Sequence, residues 1–387
     1  MKIQYISGSI FPSEISHTLS KMRMCQALND AGHEVMITAV QGEISKDLIG
    51  YYGLKGGFKI VLQKINKILK NKIANKLLVK SLVNGLFHRN QVKLFKPDLI
   101  YSRLTICELM FVSNKIPIIY EMHSLGAFGK SFLEKNLFKI ILKMKNFRKI
   151  VVTTQILAEM LKEYIQDVDI VVSRLSAEQP IDLKNEELQY FKKENLNGKN
   201  FDKHVGYTGY IDTVGLRGTD IICQIASKMP SVAFHIVGGS PETVDHWIEY
   251  AKDYNKNKNI FFYGYKNPSM MPYFLNCFNV VLAPLQYRPE ARAPLGANMS
   301  PLKLTQYMAY KKAMVVSDLI AHRELLNEGK TALFVKCDDI NAWQNAIQIL
   351  LNSQQKREIM GKNAYKEYLK NFTPEFRVKK ILNNIDV

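Results

Sequence analysis

Short apolar runs alternate with helix-length segments through two stretches of this chain, and a polar connector separates the two. In the first stretch the runs fall at residues 2–7, 34–39, 99–102, 116–122 and 150–153, with a helical pattern over 16–31. In the second they fall at 205–208, 232–237, 260–263, 280–284, 314–317 and 333–335. Strand, helix and strand in succession is the signature of a parallel sheet covered by helices. The spacing therefore predicts an α/β protein with two Rossmann-like domains. The connector over 176–203 carries Gln179-Pro180, many charges and Asn197-Gly198. The boundaries expected are 1–180 for the first domain and 200–369 for the second. Residues 353–387 are helical in pattern and interrupted at Thr373-Pro374, so a final helix over 370–387 is free to pack elsewhere.

With 47% hydrophobic and 23% charged residues the chain has a globular composition, which excludes disorder. Its five cysteines are odd in number and widely spaced, matching neither a disulfide framework nor a zinc cluster. The opening residues lack the apolar stretch of a signal peptide. No run reaches the roughly twenty apolar residues of a membrane span, since 99–120 contains Arg103 and Glu108. The expectation is a cytoplasmic protein.

The formal charge of +18 is concentrated. Residues 48–97 hold eleven Lys or Arg and no acid, and residues 130–149 hold seven basic residues against Glu134. Ile65, Ile68, Leu69 and Ile73 have helical spacing, with Lys64, Lys67 and Lys70 mostly outside that stripe. The Lys-rich 55–96 and 130–149 segments suit an anionic membrane surface; a plain solvated face is the bland alternative. No nucleic-acid motif accompanies the charge, and no nucleic-acid partner is expected.

In open parallel sheets, ligands collect at the carboxyl ends of strands, where helix N-termini offer N–H groups. Gly8, within Ser7-Gly8-Ser9 after the first strand, stands alone and lacks the three glycines of a dinucleotide fingerprint. His123 ends the 116–122 run, two residues after Glu121. Gly209 and Arg217 flank a loop that opens a helix, where an Arg can grip phosphate. Gly238 ends the next strand, and Tyr265 and Lys266 the one after. In 298–309, Ser300 is a suitable N-cap and Pro301 a suitable first helical residue. Lys303 and Gln306 then share a face near the helix's positive end. Asp167-Val168-Asp169 has the form of a metal-binding D-x-D, but it precedes a strand at 170–173 and so belongs to the opposite sheet edge. No metal site is expected there.

These residues together resemble glycosyltransferase family 4, the retaining group with the GT-B fold. The resemblance rests on the opening strand and loop, Ala31-Gly32-His33-Glu34-Val35, residues 118–123, the Gly209 to Gly218 loop and above all 300–309. It implies two domains facing across a cleft, with acceptor on the first and nucleotide sugar on the second, and a C-terminal helix crossing back to the first. Arg217 takes the place of the family's phosphate-binding Lys, Gly209 that of its close-approach glycine, and His123 that of its sugar-contacting His. Lys303 shares the diphosphate with Arg217, and Gly8, Gly238, Tyr265, Lys266, Asn298, Met299, Ser300, Leu302 and Gln306 complete the expected nucleotide-sugar site.

The family's two glutamates fall on Asn298 and Gln306, so both carboxylates are amides here, and Tyr210 stands where many members carry Arg. The implied activity is sugar transfer from a nucleoside diphosphate to a hydroxyl of a glycan or lipid-linked glycan. The implied setting is capsule, O-antigen or lipopolysaccharide assembly at the inner face of the cell membrane, with no metal or other cofactor. The rivals are a GT-B sugar-nucleotide epimerase and a binding subunit that has lost catalysis.

Overall fold

A computed structural model describes residues 1–13, 16–42, 47–64, 77–104, 106–109, 111–112, 115–123, 136, 138–140, 142–165, 168–286 and 302–385. The chain divides into two compact units: 1–174 with 374–387, and 175–297 with 301–373.

The first unit is built on β1 (Lys2–Phe11), β2 (Glu34–Gln41), β3 (Lys59–Gln63), β4 (Leu99–Arg103), β5 (Ile118–Met122), β6 (Phe147–Val152) and β7 (Asp169–Val172). They form one sheet in the order β3-β2-β1-β4-β5-β6-β7, and every strand pairing is parallel. Its described helices are α1 (Ser16–Asp30), α2 (Leu48–Tyr52), α3 (Leu77–Phe95), α4 (Ile106–Leu109) and α5 (Gln155–Lys162).

The second unit begins with α6 (Asn185–Asn195) and carries β8 (Lys203–Thr208), β9 (Val232–Val237), β10 (Ile260–Phe262), β11 (Val280–Ala283), β12 (Ala313–Ser317) and β13 (Leu333–Val335). These pair in parallel in the order β10-β9-β8-β11-β12-β13. Around them lie α7 (Thr219–Ser227), α8 (Pro241–Ala251), α9 (Met271–Cys277), α10 (Leu302–Ala309), α11 (Ile320–Arg323), α12 (Ile340–Leu351) and α13 (Gln354–Asn371). The last helix, α14 (Pro374–Leu382), belongs to the first unit, where Val378 and Ile381 enter the core. Two Rossmann-like parallel sheets are thus present, as the alternation predicts.

Two readings change. Gly8 does not follow the first strand: β1 runs on to Phe11 through a register shift between Ile6 and Ile10, so Gly8 lies inside it. A Cβ there would sit 3.0 Å from Glu108 Oε2, so the glycine makes room for a carboxylate rather than a turn. The segment 59–63, whose Val61 begins the Lys-rich stretch read from 61 to 73 as helical, is the edge strand β3, whose exposed Lys59 blunts the edge. The continuation of that helix over 65–76 lies outside the described residues. Asp169 opens β7, at the amino edge as expected, and pairs with Lys149 at 3.7 Å; Asp167 is outside the described residues.

Each sheet reverses its strand order once, between β1 and β4 and between β8 and β11. Crevices at the carboxyl ends of strands open at such points, so the chain carries two places to look for a site.

Buried histidines shape its response to acid. Burial pushes His88 and His235 down to about 3 and, ahead of Lys303's charge, His322 to about 4. All three are neutral when folded, whereas an unfolded His takes a proton below its usual 6.5. Their contribution is therefore whole above pH 6.5 and is lost as pH falls toward 4, at about 2 kcal/mol for each by pH 5. Urea unfolding at pH 5 should show a clearly lower midpoint than at pH 7; equal midpoints would contradict the neutral buried state.

Candidate functional site

In the second unit, Tyr307 of α10 fixes the site. Its buried hydroxyl accepts from the Thr208 backbone N–H at 2.9 Å and meets Thr208 Oγ1 at 3.2 Å, tying the helix to the carboxyl end of β8. Lys303 lies one turn earlier. Its ammonium sits 3.6 Å from the Tyr207 ring centroid, and a Cβ on Gly209 (φ 126°) would lie 3.4 Å from Lys303 Nζ. Among the described residues Lys303 has no hydrogen bond and no salt bridge. Burial first, and Arg217 second, push its pKa well below the usual lysine range, against a smaller opposing pull from Asp212. An anion arriving here would meet a half-buried cation that has already given up part of its water.

The loop from Gly209 to Gly218 is organised by Asp212. Its carboxylate accepts from the backbone N–H groups of Val214 (3.1 Å), Leu216 (2.9 Å) and Arg217 (3.1 Å), while Trp247 Nε1 donates to its carbonyl at 2.7 Å. Arg217 stands 3.9 Å from Asp212 Oδ2 and over the Tyr210 ring at 5.8 Å. Gly218 then caps α7 with φ 74° and no side-chain bond, so the cap residue itself offers the helix's first N–H groups no acceptor. Cations and helix N-terminus converge at the β8/β11 reversal.

Two glycines pack backbone on backbone. A Cβ on Gly218 would lie 1.9 Å from the Pro284 carbonyl oxygen, and one on Gly238 (φ 139°) would lie 2.0 Å from that of Gly209. Gly218→Ala is therefore expected to displace Arg217 and weaken anion binding at least tenfold, readable as the loss of thermal stabilisation by inorganic pyrophosphate.

The remaining expected residues divide. Gln306 is half-buried on α10, and its side chain has no hydrogen bond among the described residues. Leu302 opens that helix. Tyr265 and Lys266 follow β10, two strands out from β8, apart from the reversal. Asn298, Met299, Ser300 and the Ser300–Pro301 cap lie outside the described residues.

In the first unit, His123 follows β5 directly. Its Nδ1 accepts from Arg103 Nη2 at 3.1 Å and its Nε2 meets Glu121 Oε1, so both ring nitrogens are engaged. Burial and then Arg103 hold it down at about 4: the ring is neutral, with the proton on Nε2. Glu121 also accepts from Tyr101 and from Arg377 Nη2 at 3.0 Å. Burial opposes its charge, but Arg377 and Arg103 outweigh that and keep the carboxyl well below the usual range. His123, expected to touch sugar, here has its hydrogen-bonding capacity spent within the protein. Of the residues holding it, Glu121 stands beside it in the sequence, while Arg103 carries no site reading there; an Arg ending β4 is the available signal.

Among the described residues no three His, Cys, Asp or Glu side chains gather as a metal group, and no helix is long and apolar enough to cross a membrane.

No curated protein matches the sequence. The model of the family described as glycosyl transferases group 1 matches residues 218–367, within the second unit. Among solved structures, a glycosyltransferase of Rickettsia africae is similar at TM-score 0.75 and 14% identity over 99% of each chain. HepE of Anabaena, solved with UDP and glucose, has TM-score 0.70 and 12% identity over the whole of both chains. Sucrose-phosphate synthase of Thermosynechococcus elongatus has TM-score 0.72 and 15% identity, over 98% of this chain and 97% of that one. At such identities the likeness establishes the fold, which is GT-B.

Proposed function

We propose that this chain is a retaining glycosyltransferase of family 4 that moves a sugar from a nucleoside diphosphate to a hydroxyl of a glycan or lipid-linked glycan. The observation that carries the reading is the convergence of the half-buried Lys303 ammonium, 3.6 Å over the Tyr207 ring, and Arg217 at the N-terminus of α7. As the glycosidic bond breaks, charge grows on the leaving diphosphate. Two cations and oriented N–H groups already in place stabilise that charge without reorganising. The family match over 218–367 and a neighbour solved with UDP and glucose support this chemistry. Incubation with labelled nucleotide sugars in EDTA tests it: slow donor hydrolysis that disappears in Arg217→Ala is expected, and a manganese requirement would count against the metal-free mechanism. Gln306 in place of a family carboxylate favours a second reading, a subunit that binds donor without turnover; binding with no hydrolysis at all would select it.

The acceptor's setting is the inner membrane surface, in polysaccharide assembly of the capsule, O-antigen or lipopolysaccharide kind. Helix α3 supports this because its polarity is inverted. Ser81, Asn84 and His88 are buried, while Leu82, Leu86 and Leu94 are 40%, 47% and 70% exposed alongside Arg89 and Lys93. Apolar anchors flanked by cations suit an anionic lipid interface, at about 1 kcal/mol per basic residue. Co-sedimentation with phosphatidylglycerol vesicles should fall at least tenfold in Arg89→Glu/Lys93→Glu; undiminished binding would remove α3 from the membrane contact.

A further inference from the structure

The reversal point of the first sheet holds a second group of cations that the transfer chemistry above does not use. Lys21 of α1 is 4% exposed, and its ammonium donates to Ser7 Oγ at 2.9 Å and to Ser9 Oγ. Arg103, at the end of β4, donates to Ser20 Oγ at 3.1 Å and to His123. A buried ammonium is ordinarily paired with a carboxylate. Among the described residues Lys21 has none within salt-bridge distance.

The two carboxylates in the neighbourhood are committed elsewhere. Glu121 is held by Arg377 at 3.0 Å and by Tyr101, and stands 3.8 Å from Arg103. Glu108 accepts from Asn84 Nδ2 at 2.8 Å. The charges left over are positive. Burial, and then Arg103, push Lys21 down to about 7 against smaller opposing pulls from Glu121 and Glu108, and burial, then Lys21 and Arg103, hold His17 at about 4.

The group is open on one side. Ser9, His17 and His123 are each partly exposed. Ser9 Oγ accepts from Lys21, which leaves its own proton to donate outward, and the His17 ring has no hydrogen bond among the described residues. A cation behind a hydroxyl, a guanidinium whose nearest carboxylate, Glu121, is 3.8 Å away and engaged by Arg377, and an unpaired imidazole form a donor set that an anion can complete.

We propose that Lys21, Arg103 and Ser9 form an oxyanion site in the first unit that takes a phosphate or carboxylate carried by the acceptor. Naming the acceptor as the source rests on the transferase reading; the site itself does not. Its test uses neither donor nor turnover, so the two can fail separately. Inorganic phosphate and acetate are titrated calorimetrically into the full chain carrying Arg217→Ala, which removes the principal anion grip of the second unit. Binding of at least one anion should persist in that background, and should weaken at least tenfold when Lys21→Met is added. Ser9→Asp, at a half-buried position, should abolish it by supplying an internal carboxylate, and keeps the test decisive where Lys21→Met fails to fold. Tighter phosphate identifies a phosphorylated acceptor, and tighter acetate a carboxylated one. Binding of neither anion, or binding indifferent to both substitutions in folded protein, overturns the site.

Discussion

Lys303→Met is expected to lower the rate of donor cleavage about 10²- to 10³-fold, the usual cost of removing one preorganised group that meets developing negative charge, while leaving the melting temperature unchanged or raised. The two outcomes have one cause. The Met side chain keeps the stem's volume against Tyr207, and because Lys303 has no salt bridge among the described residues, its removal orphans no carboxylate. The folded protein instead sheds a desolvated charge, which costs stability wherever it lacks a partner. Lys303→Arg should not restore activity, since a planar fork does not place its charge where a compact ammonium does over the Tyr207 ring. Single-turnover cleavage of a labelled nucleotide sugar, with a thermal melt of the same sample, reads both quantities. Cleavage within threefold of the parent would show that the diphosphate is stabilised elsewhere. Loss of activity together with a large fall in melting temperature would make Lys303 structural.

The pH dependence of donor binding follows from the same group. Desolvation and Arg217 depress Lys303 in the unliganded protein, and a bound diphosphate raises it again. Binding therefore takes up a proton wherever the pH exceeds the unliganded pKa, and affinity declines as the pH climbs further.

Both sheets were legible in the sequence because their strands are buried parallel runs, which stand out as short apolar blocks. The edge strand β3 was not: its Lys59 and half-buried Ile60, Val61 and Leu62 merge into the Lys-rich run that follows. The second-unit site was legible as Gly209, Arg217 and Lys303 because each occupies a local pattern, a glycine after a strand, an Arg before a helix, a Lys in a first turn. Asp212, which gathers three N–H groups of that loop, was missed although it is local, since nothing in its spacing separates a loop-organising Asp from a solvated one. The first-unit cluster was missed for a different reason. Lys21, Arg103, Glu121 and Arg377 come from α1, β4, β5 and α14, and their meeting depends on strand order, which no window of sequence contains.

Arg377→Met is expected to destabilise the first unit by about 3–5 kcal/mol, the cost of leaving one member of a buried ion pair without the other. The side chains of Arg377 and Glu121 are 4% and 1% exposed and meet at 3.0 Å, so solvent cannot take over either partner's role. The guanidinium also donates to the carbonyls of Ser173, at 2.7 Å, and Arg174, just beyond β7. The substitution thus strands two acceptors as well as a carboxylate, and each buried unsatisfied group adds about 1–3 kcal/mol. At about 2–4 °C per kcal/mol for a unit of this size, the transition should fall by at least about 6 °C. Glu121→Gln in the same chain should recover part of the loss, because the amide oxygen can still accept from His123 while its nitrogen donates to the Tyr101 hydroxyl, with no charge to desolvate. That recovery separates the ion pair from simple packing of α14, whose Val378 and Ile381 remain in the core and whose end is held by Lys149 Nζ on the Asn383 carbonyl at 2.6 Å. The pH profile supplies an independent check. Glu121 is held well below its usual range, so its contribution is present above the ordinary glutamate pKa and disappears as the pH falls through the folded value. The parent should therefore lose more stability than the double variant on acidification, and parallel losses would place the stabilisation outside the Arg377–Glu121 pair.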